Sequence, residues 1–479
     1  MDKYPSIKKY LAVGIILLFV GTSIIPVTAQ EKEKPSLPTS SGNWLYVGGS
    51  GPGNISKIQD AINDSQDGDT VFVFHGTYYE HIVINKAIYL IGENVNTTTI
   101  IDNFSHDIYA MTIQRDNVTV IGFTIQGEAT WCAIGLGSGY TTIKGNNILS
   151  TYGMEVKSSN NSILYNNITG YGIPLTGLGC GINSILSNNR IEHNSIFSAA
   201  TGISVTGDGN FINNNLIVAS WPSDIHGSKN VISNNTFQNS GLRSYGSVGN
   251  IVTNNTVKGK PLVFLVNTSN KVLDYDAGQV ILIQCDNVTI KNQNFSHSPR
   301  SIQVLGSTNC HIINNTISYC SDAGIAIYYS DTIMVMDNTI NTSPIKIGRY
   351  DFGYCYNISI SRNTFTGEST ILNNVITFEN TCNSTLSYNN LVNTFIELLD
   401  FCRNCKICCN NFMVSNGFDI RVPLFSHNTF YRNYWWGPRL FPIHIHGTVY
   451  IGPKWPYSLI LPWFFIDWHP ALKPYDIPG

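Results

Sequence analysis

The chain has 479 residues, a formal net charge of −3, 12% charged side chains and 43% hydrophobic ones. That balance lacks the basic face a nucleic-acid binder needs, and its apolar content excludes disorder. The length suits about three compact domains, but an internal repeat overrides that prior because a stacked repeat grows in one dimension.

Lys3, Lys8 and Lys9 precede an apolar run from Leu11 to Ile25, and Val27-Thr28-Ala29 offers a small-residue cleavage site. Residues 1–29 therefore read as a secretory signal peptide. The run is shorter than the roughly 20 residues a spanning helix needs. Residues 458–466 are apolar but short and broken by Pro462. The expectation is a protein with no membrane span after signal removal, secreted or held at the cell surface or in a periplasm-like space. Residues 30–43 are a polar, Pro-containing linker.

Folded structure is expected from Trp44, with residues 44–105 forming an N-terminal cap and the first coils. In 55–62 (ISKIQDAI), Ile55, Ile58 and Ile62 share one helical face. A short helix there would close an end that otherwise exposes core and strand edges. The following stretch, VFVFHGTYYEHIVINKAIYLIGE, reads as strand, turn, strand, strand. Ile58-Gln59-Asp60-Ala61-Ile62, Gly68-Asp69-Thr70-Val71 and Gly76-Thr77-Tyr78 resemble the N-terminal coil of pectate-lyase-like β-helix proteins.

Residues 106–433 carry the repeat, an apolar residue, a middle residue (usually Asn) and a second apolar residue at fixed offsets. Ile232/Asn235/Phe237 and Val252/Asn255/Val257 show it most plainly, 20 residues apart. The middle residues are Phe123, Asn146, Asn166, Asn189, Asn215, Asn235, Asn255, Gln293, Asn315, Asn338, Asn363, Asn389, Asn410 and Asn428. Their steps run from 18 to 26, with one of 38 that reads as two periods. Ile, Val and Phe at short spacing suit strands. Asn between them tolerates left-handed backbone and bonds neighbouring peptide groups, which makes a tight bend. Stacked coils would align these Asn residues into an amide ladder. The fold read from this is all-β, a right-handed parallel β-helix solenoid. At about 4.8 Å per coil, roughly fifteen coils make a rod about 70 Å long.

Residues 259–280 break the pattern. Gly259-Lys260-Pro261-Leu262 and Asp276-Ala277-Gly278-Gln279-Val280 resemble a signature of the NosD-like family of periplasmic β-helix proteins, also described as carbohydrate-binding and sugar-hydrolysis domains. The resemblance implies an accessory role in maturing a copper enzyme. Residues 434–479 contain most of the chain's eight Trp and many Pro, and carry no triplet. They read as a C-terminal capping segment or a tail folded back along the rod.

His444 and His446 would project to one side of a strand over 443–449, which is half a metal site. Copper is the metal the NosD-like resemblance suggests. His427 and His469 are possible third ligands. Lyases of this fold hold calcium with clustered carboxylates, and hydrolases use an acid/base pair. Here carboxylates are sparse, with Asp274 and Asp276 the candidates and Asp322 and Asp331 further on. The FCRNCKICC run at 401–409 has metal-like spacing, but Ile407 and Phe412 fix it as a coil. Cys310 and Cys405 replace apolar residues of other coils and should be buried and reduced. Cys355, Cys382 and Cys402 fall at nearly the same phase of neighbouring coils, which would allow one disulfide among them. Sequons occur at Asn54, Asn96, Asn103, Asn117, Asn267, Asn287, Asn341 and Asn357.

The leading expectation is a secreted or cell-surface β-helix protein that binds polysaccharide along a flank or serves a structural role. The alternatives are a copper-binding accessory protein and a polysaccharide lyase or glycoside hydrolase.

Overall fold

The computed structural model describes residues 42–102, 108–127, 131–172, 179–349, 353–368, 375–413, 417–451 and 459–477. The signal peptide and nearly all of the linker expected over 1–43 lie outside them. The fold is a parallel β-solenoid of about 17 turns. Among the described residues the one α-helix is Ile58–Asp64.

Each coil places an apolar residue over its counterpart in the next. One inner row runs Ile148, Ile168, Ile196, Ile217, Phe237 and Val257, each in parallel register with the one before. A later row runs Phe295, Ile317, Ile340, Phe365, Leu391, Phe412 and Trp435. All are buried, and each such side chain contributes about 1.5–3 kcal/mol when fully removed from water.

The ladder runs through Asn146, Asn166, Asn194, Asn215, Asn235 and Asn255. The Oδ1 of each accepts the backbone N–H of the one before. It resumes through Gln293, Asn315, Asn338, Asn363, Asn389, Asn410 and Asn433. Two sequence assignments are corrected here. Asn189 belongs to a second ladder at another corner, with Asn161, Asn210, Asn230 and Asn250. Asn428 likewise serves another corner, accepting from Cys405 N and donating to Cys402 O. In both coils Asn occupies two corners five residues apart, and the apolar residues three places before Asn189 and Asn428, Leu186 and Phe425, are exposed.

The bend also divides its work between two residues. The residue before the ladder Asn takes the left-handed backbone, as at Tyr165 (φ 56°), His193 (φ 57°), Asn234 (φ 55°) and Arg362 (φ 56°). The ladder Asn supplies the hydrogen bonds.

The stack is not one continuous rod. Val257 is followed by a tight reversal through Lys258 and Gly259, at φ 52° and 78°. The chain then returns antiparallel, with Thr256 opposite Pro261 and Val257 opposite Lys260. A second stack begins with Lys260–Val266, Gln279–Ile283, Arg300–Leu305 and Ala323–Tyr328, paired in parallel. This sheet has two buried faces. Val280, Leu282, Ile302 and Val304 point into the second core. Ile281, Ile283, Leu305 and Tyr328 point into the first, closing its open end. Near-continuous apolar strands are what a sheet covered on both sides requires. The step of 38 in the repeat is therefore two periods, as read, but it also spans the change of stack: residues 260–278 supply the first coil of the second stack, which carries no Asn bend.

The two sequence motifs at this junction have structural jobs. Gly259 allows the reversal. Gly278 lets the chain pass Val257 O, which a Cβ would approach to 2.3 Å. Gln279 caps the Leu242–Ser244 strand at the end of the first stack, and Gln303 does the same two residues along. Buried ions lock the contact. The Asp322 carboxylate meets Arg300 at 2.6 Å and Lys346 at 2.8 Å, with Arg243 at 3.9 Å. Arg243 in turn holds Asp224 with two bonds of 2.5 and 2.7 Å.

Both outer ends are closed with polar side chains as well. Helix Ile58–Asp64 buries Ile58, Ala61 and Ile62, and its first amides donate to the Glu80 carboxylate at 2.9 and 3.0 Å. Its Gln59 amide accepts from Val83 N and donates to Val83 O, standing in for a missing strand. At the other end, buried Asp467 accepts from Arg432 N, Asn433 N and Nδ2, and Trp435 Nε1. The last segment is an antiparallel hairpin, Ile443–Ile451 with Leu459–Asp467. Beyond it the chain folds back over earlier coils, where Tyr475 bonds Asn411 and Arg432.

Candidate functional site on the flank of the second stack

Beyond the junction, the sheet that seals the first stack continues as a solvent-facing flank through Ile345–Ile347, Val375–Glu379, Phe395–Leu399 and Gly417–Pro423. Alternation along each strand sends Ile347, Phe378, Leu398 and Ile420 inward and their neighbours outward. The outward row carries Lys346, Thr377, Glu397 and Asp419, in register across four strands. Thr377 Oγ1 donates to Glu397 at 2.7 Å.

At the edge of this flank Arg349 Nη1 lies 2.6 Å from Glu379 and 3.7 Å from Asp400. The Glu379 side chain is 13% exposed and Arg349 51%. Burial pushes the Glu379 carboxyl above its ordinary range, Arg349 opposes this, and neighbouring Asp400 adds to it. The guanidinium thus faces solvent beside a partly buried acidic pair. A row of rings starts at Phe401, beside Asp400. Tyr354 lies 6.1 Å from Tyr356 and 6.4 Å from Phe401, and Phe401 lies 6.1 Å from Tyr450. Burial raises the Tyr450 hydroxyl above its usual range, with Asp400 adding to it. Flat rings beside a charged hydrogen-bonding group can hold a hydroxylated ring by stacking and by its oxygens. The sequence reading missed this cluster because Arg349 and Asp400 hold the same left-handed corner two coils apart, a corner that the Asn triplet does not mark.

The residues singled out from sequence are not brought together. Asp274 and Asp276 are exposed, paired with Lys291 at 4.0 Å and Lys260 at 3.1 Å respectively. Asp322 is buried in the junction, and Asp331 accepts from Asn357 on an outer turn. His444 and His446 do share the outer face of the hairpin, flanking Phe464 at 6.2 and 5.0 Å. Among the described residues no group of three His, Cys, Asp or Glu could hold a metal ion.

All eleven cysteines are free. The expected disulfide is corrected by the register. Cys355 pairs with Thr381, while Cys382 pairs with Tyr356 and faces Arg403. Cys382 is therefore one place out of phase with Cys355 and Cys402, and adjacent strand positions point to opposite faces. Cys310 and Cys405 are buried. Of the sequons, Asn117, Asn267, Asn287 and Asn357 occupy exposed left-handed corners; Asn103 lies outside the described residues.

Residues 264–397 match the family described as periplasmic copper-binding protein (NosD). The match begins within the sheet that joins the two stacks. A cell surface glycoprotein from Methanothermus fervidus is 30% identical over 122 residues, which span 25% of this chain and 18% of that protein. Similar solved structures include the A-module of mannuronan C-5 epimerase AlgE6 from Azotobacter vinelandii, at 15% identity and a TM-score of 0.30, covering 80% of this chain and 94% of that one. The surface adhesin PfbA of Streptococcus pneumoniae is similar at 12% identity and 0.29, covering 87% and 95%. Carrot pectin methylesterase is similar at 12% and 0.24, covering 71% and 86%.

Proposed function

We propose that this is an extracellular or surface-held β-helix protein that binds polysaccharide on the flank of its second stack. Arg349, Glu379 and Asp400, with the row of rings that runs from Phe401 beside Asp400 through Tyr354 to Tyr356, carry the reading. They offer stacking surfaces and hydrogen-bonding groups on one open, elongated face. The surface location draws support from the matched stretch of cell surface glycoprotein and from the periplasmic family match. A glycan array with the purified chain tests the proposal. Tyr354→Ala and Arg349→Ala should each weaken the best ligand by about tenfold. Equal binding by wild type and both variants would remove this site from consideration.

A second reading, copper binding, is favoured by the description of the matched family. It points to His444 and His446 as the ligand pair. Titration with Cu(II) and with Cu(I) under reductant tests it, with His444→Ala as the control. Unchanged affinity in that variant would exclude the pair.

A further inference from the structure

Each stack has a corner at which exposed Asn residues open Asn-X-Ser/Thr sequons. In the second stack these are Asn287, Asn357 and Asn383, at φ 52°, 54° and 53°. All three follow the bridged row that runs from Asp286 through Tyr356 to Arg403. In the first stack they are Asn117 and Asn160, at φ 61° and 64°, two coils apart at one corner. All five are exposed.

The fold accounts for the Asn but not for the rest of the sequon. Asn tolerates the left-handed backbone. Its amide also bonds the neighbouring coil: Asn287 Nδ2 donates to Asn270 Oδ1, and Asn357 Nδ2 to Asp331 Oδ1, both at 2.8 Å. The hydroxyl two residues on is not something the strand requires. Thr289, Ser359 and Thr385 share one register row with Val272, His311, Met334 and Lys406. Thr119 and Ser162 likewise share theirs with Arg190 and Phe211. The ladder corner differs. Asn234, Asn254 and Asn314 open sequons there, but the next strand begins on a row in which Asn bonds Thr, as Asn147 does Thr124 and Asn390 does Thr364.

The corner can also carry a bulky group. Side chains diverge from a convex corner into solvent. A primary amide has two hydrogens, so replacing one leaves the other for the bond to the neighbouring coil. Half-buried Asn54 and Asn341 have less room: Asn54 Nδ2 donates to Gly48 O across a turn, and Asn341 Oδ1 accepts from Thr366 Oγ1.

We propose that Asn117, Asn160, Asn287, Asn357 and Asn383 carry N-linked glycans, in a file along one corner of each stack. The donor is an oligosaccharide held on a lipid phosphate. A bond forms between Asn Nδ2 and C1 of the first sugar as the bond from C1 to the phosphate oxygen breaks. The amide gives up one proton and the lipid phosphate leaves. The proposal rests on the extracellular or surface location given above, and not on polysaccharide binding.

Intact-mass and glycopeptide mass spectrometry of the chain isolated from the cells that make it tests this. The five corner peptides should carry sugar, and those of Asn54 and Asn341 should not. Thr289→Val, Ser359→Val and Thr385→Val keep the corner Asn and remove the hydroxyl. Each should lower the intact mass by one glycan in a chain that still folds. Asn287→Gly keeps the left-handed corner and should lose the same glycan as Thr289→Val. Five unmodified corner peptides in chain recovered outside the cell would overturn the proposal alone. Unmodified chain recovered only inside the cell would overturn the location with it. Sugar on Asn54 and Asn341 in place of the corners would also overturn it.

Discussion

Gln279 meets the backbone of Leu242 at both ends of its carboxamide, donating from Nε2 to the carbonyl at 2.7 Å and accepting from the amide at 2.9 Å. A side chain thereby occupies the place of the next strand. Gln303 on Ser244 and Gln59 on Val83 repeat the device. Parallel solenoids leave such edges wherever a stack stops, and an open edge invites pairing with other chains.

Gln279→Met keeps the side chain's bulk and removes its amide. It leaves one buried donor and one buried acceptor unpaired, a loss of about 3 kcal/mol. Urea melts should show the loss, and Gln279→Glu should behave similarly because a carboxylate cannot donate to Leu242 O. A variant as stable as wild type would mean that water replaces the amide.

Asn235 donates to Ile212 O and Ser233 O and accepts from Asn215 N. Asn235→Leu should destabilise on the order of 2 kcal/mol or more. Asn239 is exposed at φ 51°, so Asn239→Gly should leave the melting temperature nearly unchanged. Equal shifts in the two variants would contradict the ladder's role.

Burial alone would raise the Asp322 carboxyl, but Arg300, Lys346 and Arg243 overcome it and hold it at about 2. A carboxyl depressed in the folded state stabilises above its unfolded pKa, and the gain is lost as pH falls through the folded value. Asp322 should therefore contribute about 2 kcal/mol at neutral pH that disappears between about pH 4 and pH 2. Asp322→Asn should melt earlier at pH 7 and show a shallower acid limb. An unchanged acid limb would place the ion cluster outside the stability of the junction.

Cys355 and Cys402 are fully buried, whereas Cys382 is partly open. Native alkylation should label Cys382 ahead of the other two. Non-reducing peptide mapping should find all three as thiols. A disulfide among them would require the coils around 355–402 to shift by one residue.

Much of the solenoid was legible because every coil repeats the same two demands, an inward apolar pair and a polar bend. Ile312/Asn315/Ile317 and Ile360/Asn363/Phe365 meet both in plain sequence. Misplacement came where an apolar residue happened to stand three places before the first of two corner Asn, Leu186 before Asn189 and Phe425 before Asn428; Ser158, Gly207, Gly227 and Ser247 hold that place in other coils. Local spacing cannot tell which corner is which, because both are followed by a strand. The change of stack was hidden for a different reason. Residues 258–278 match the length of a coil, and only the pairing of Thr256 with Pro261 reveals the reversal. The flank cluster was illegible because Arg349 and Asp400 share a corner that carries no triplet, with Glu379 one place before it in the coil between. They meet only once the coils are aligned.

The double-faced sheet at the junction separates two properties of the molecule that a single rod would tie together. Gln279 and Gln303 belong to neighbouring coils of the second stack, and they fit amides two residues apart at the end of the first. A coil inserted within the first stack would lengthen that arm by about 4.8 Å and leave this fit untouched. The same insertion between residues 279 and 303 would carry Gln303 away from Ser244. Arm lengths can thus drift by whole coils over evolutionary time, while the geometry where the arms meet stays fixed. Relatives of this chain should differ in the number of coils on either side of residues 258–328 and keep the stretch itself at constant length.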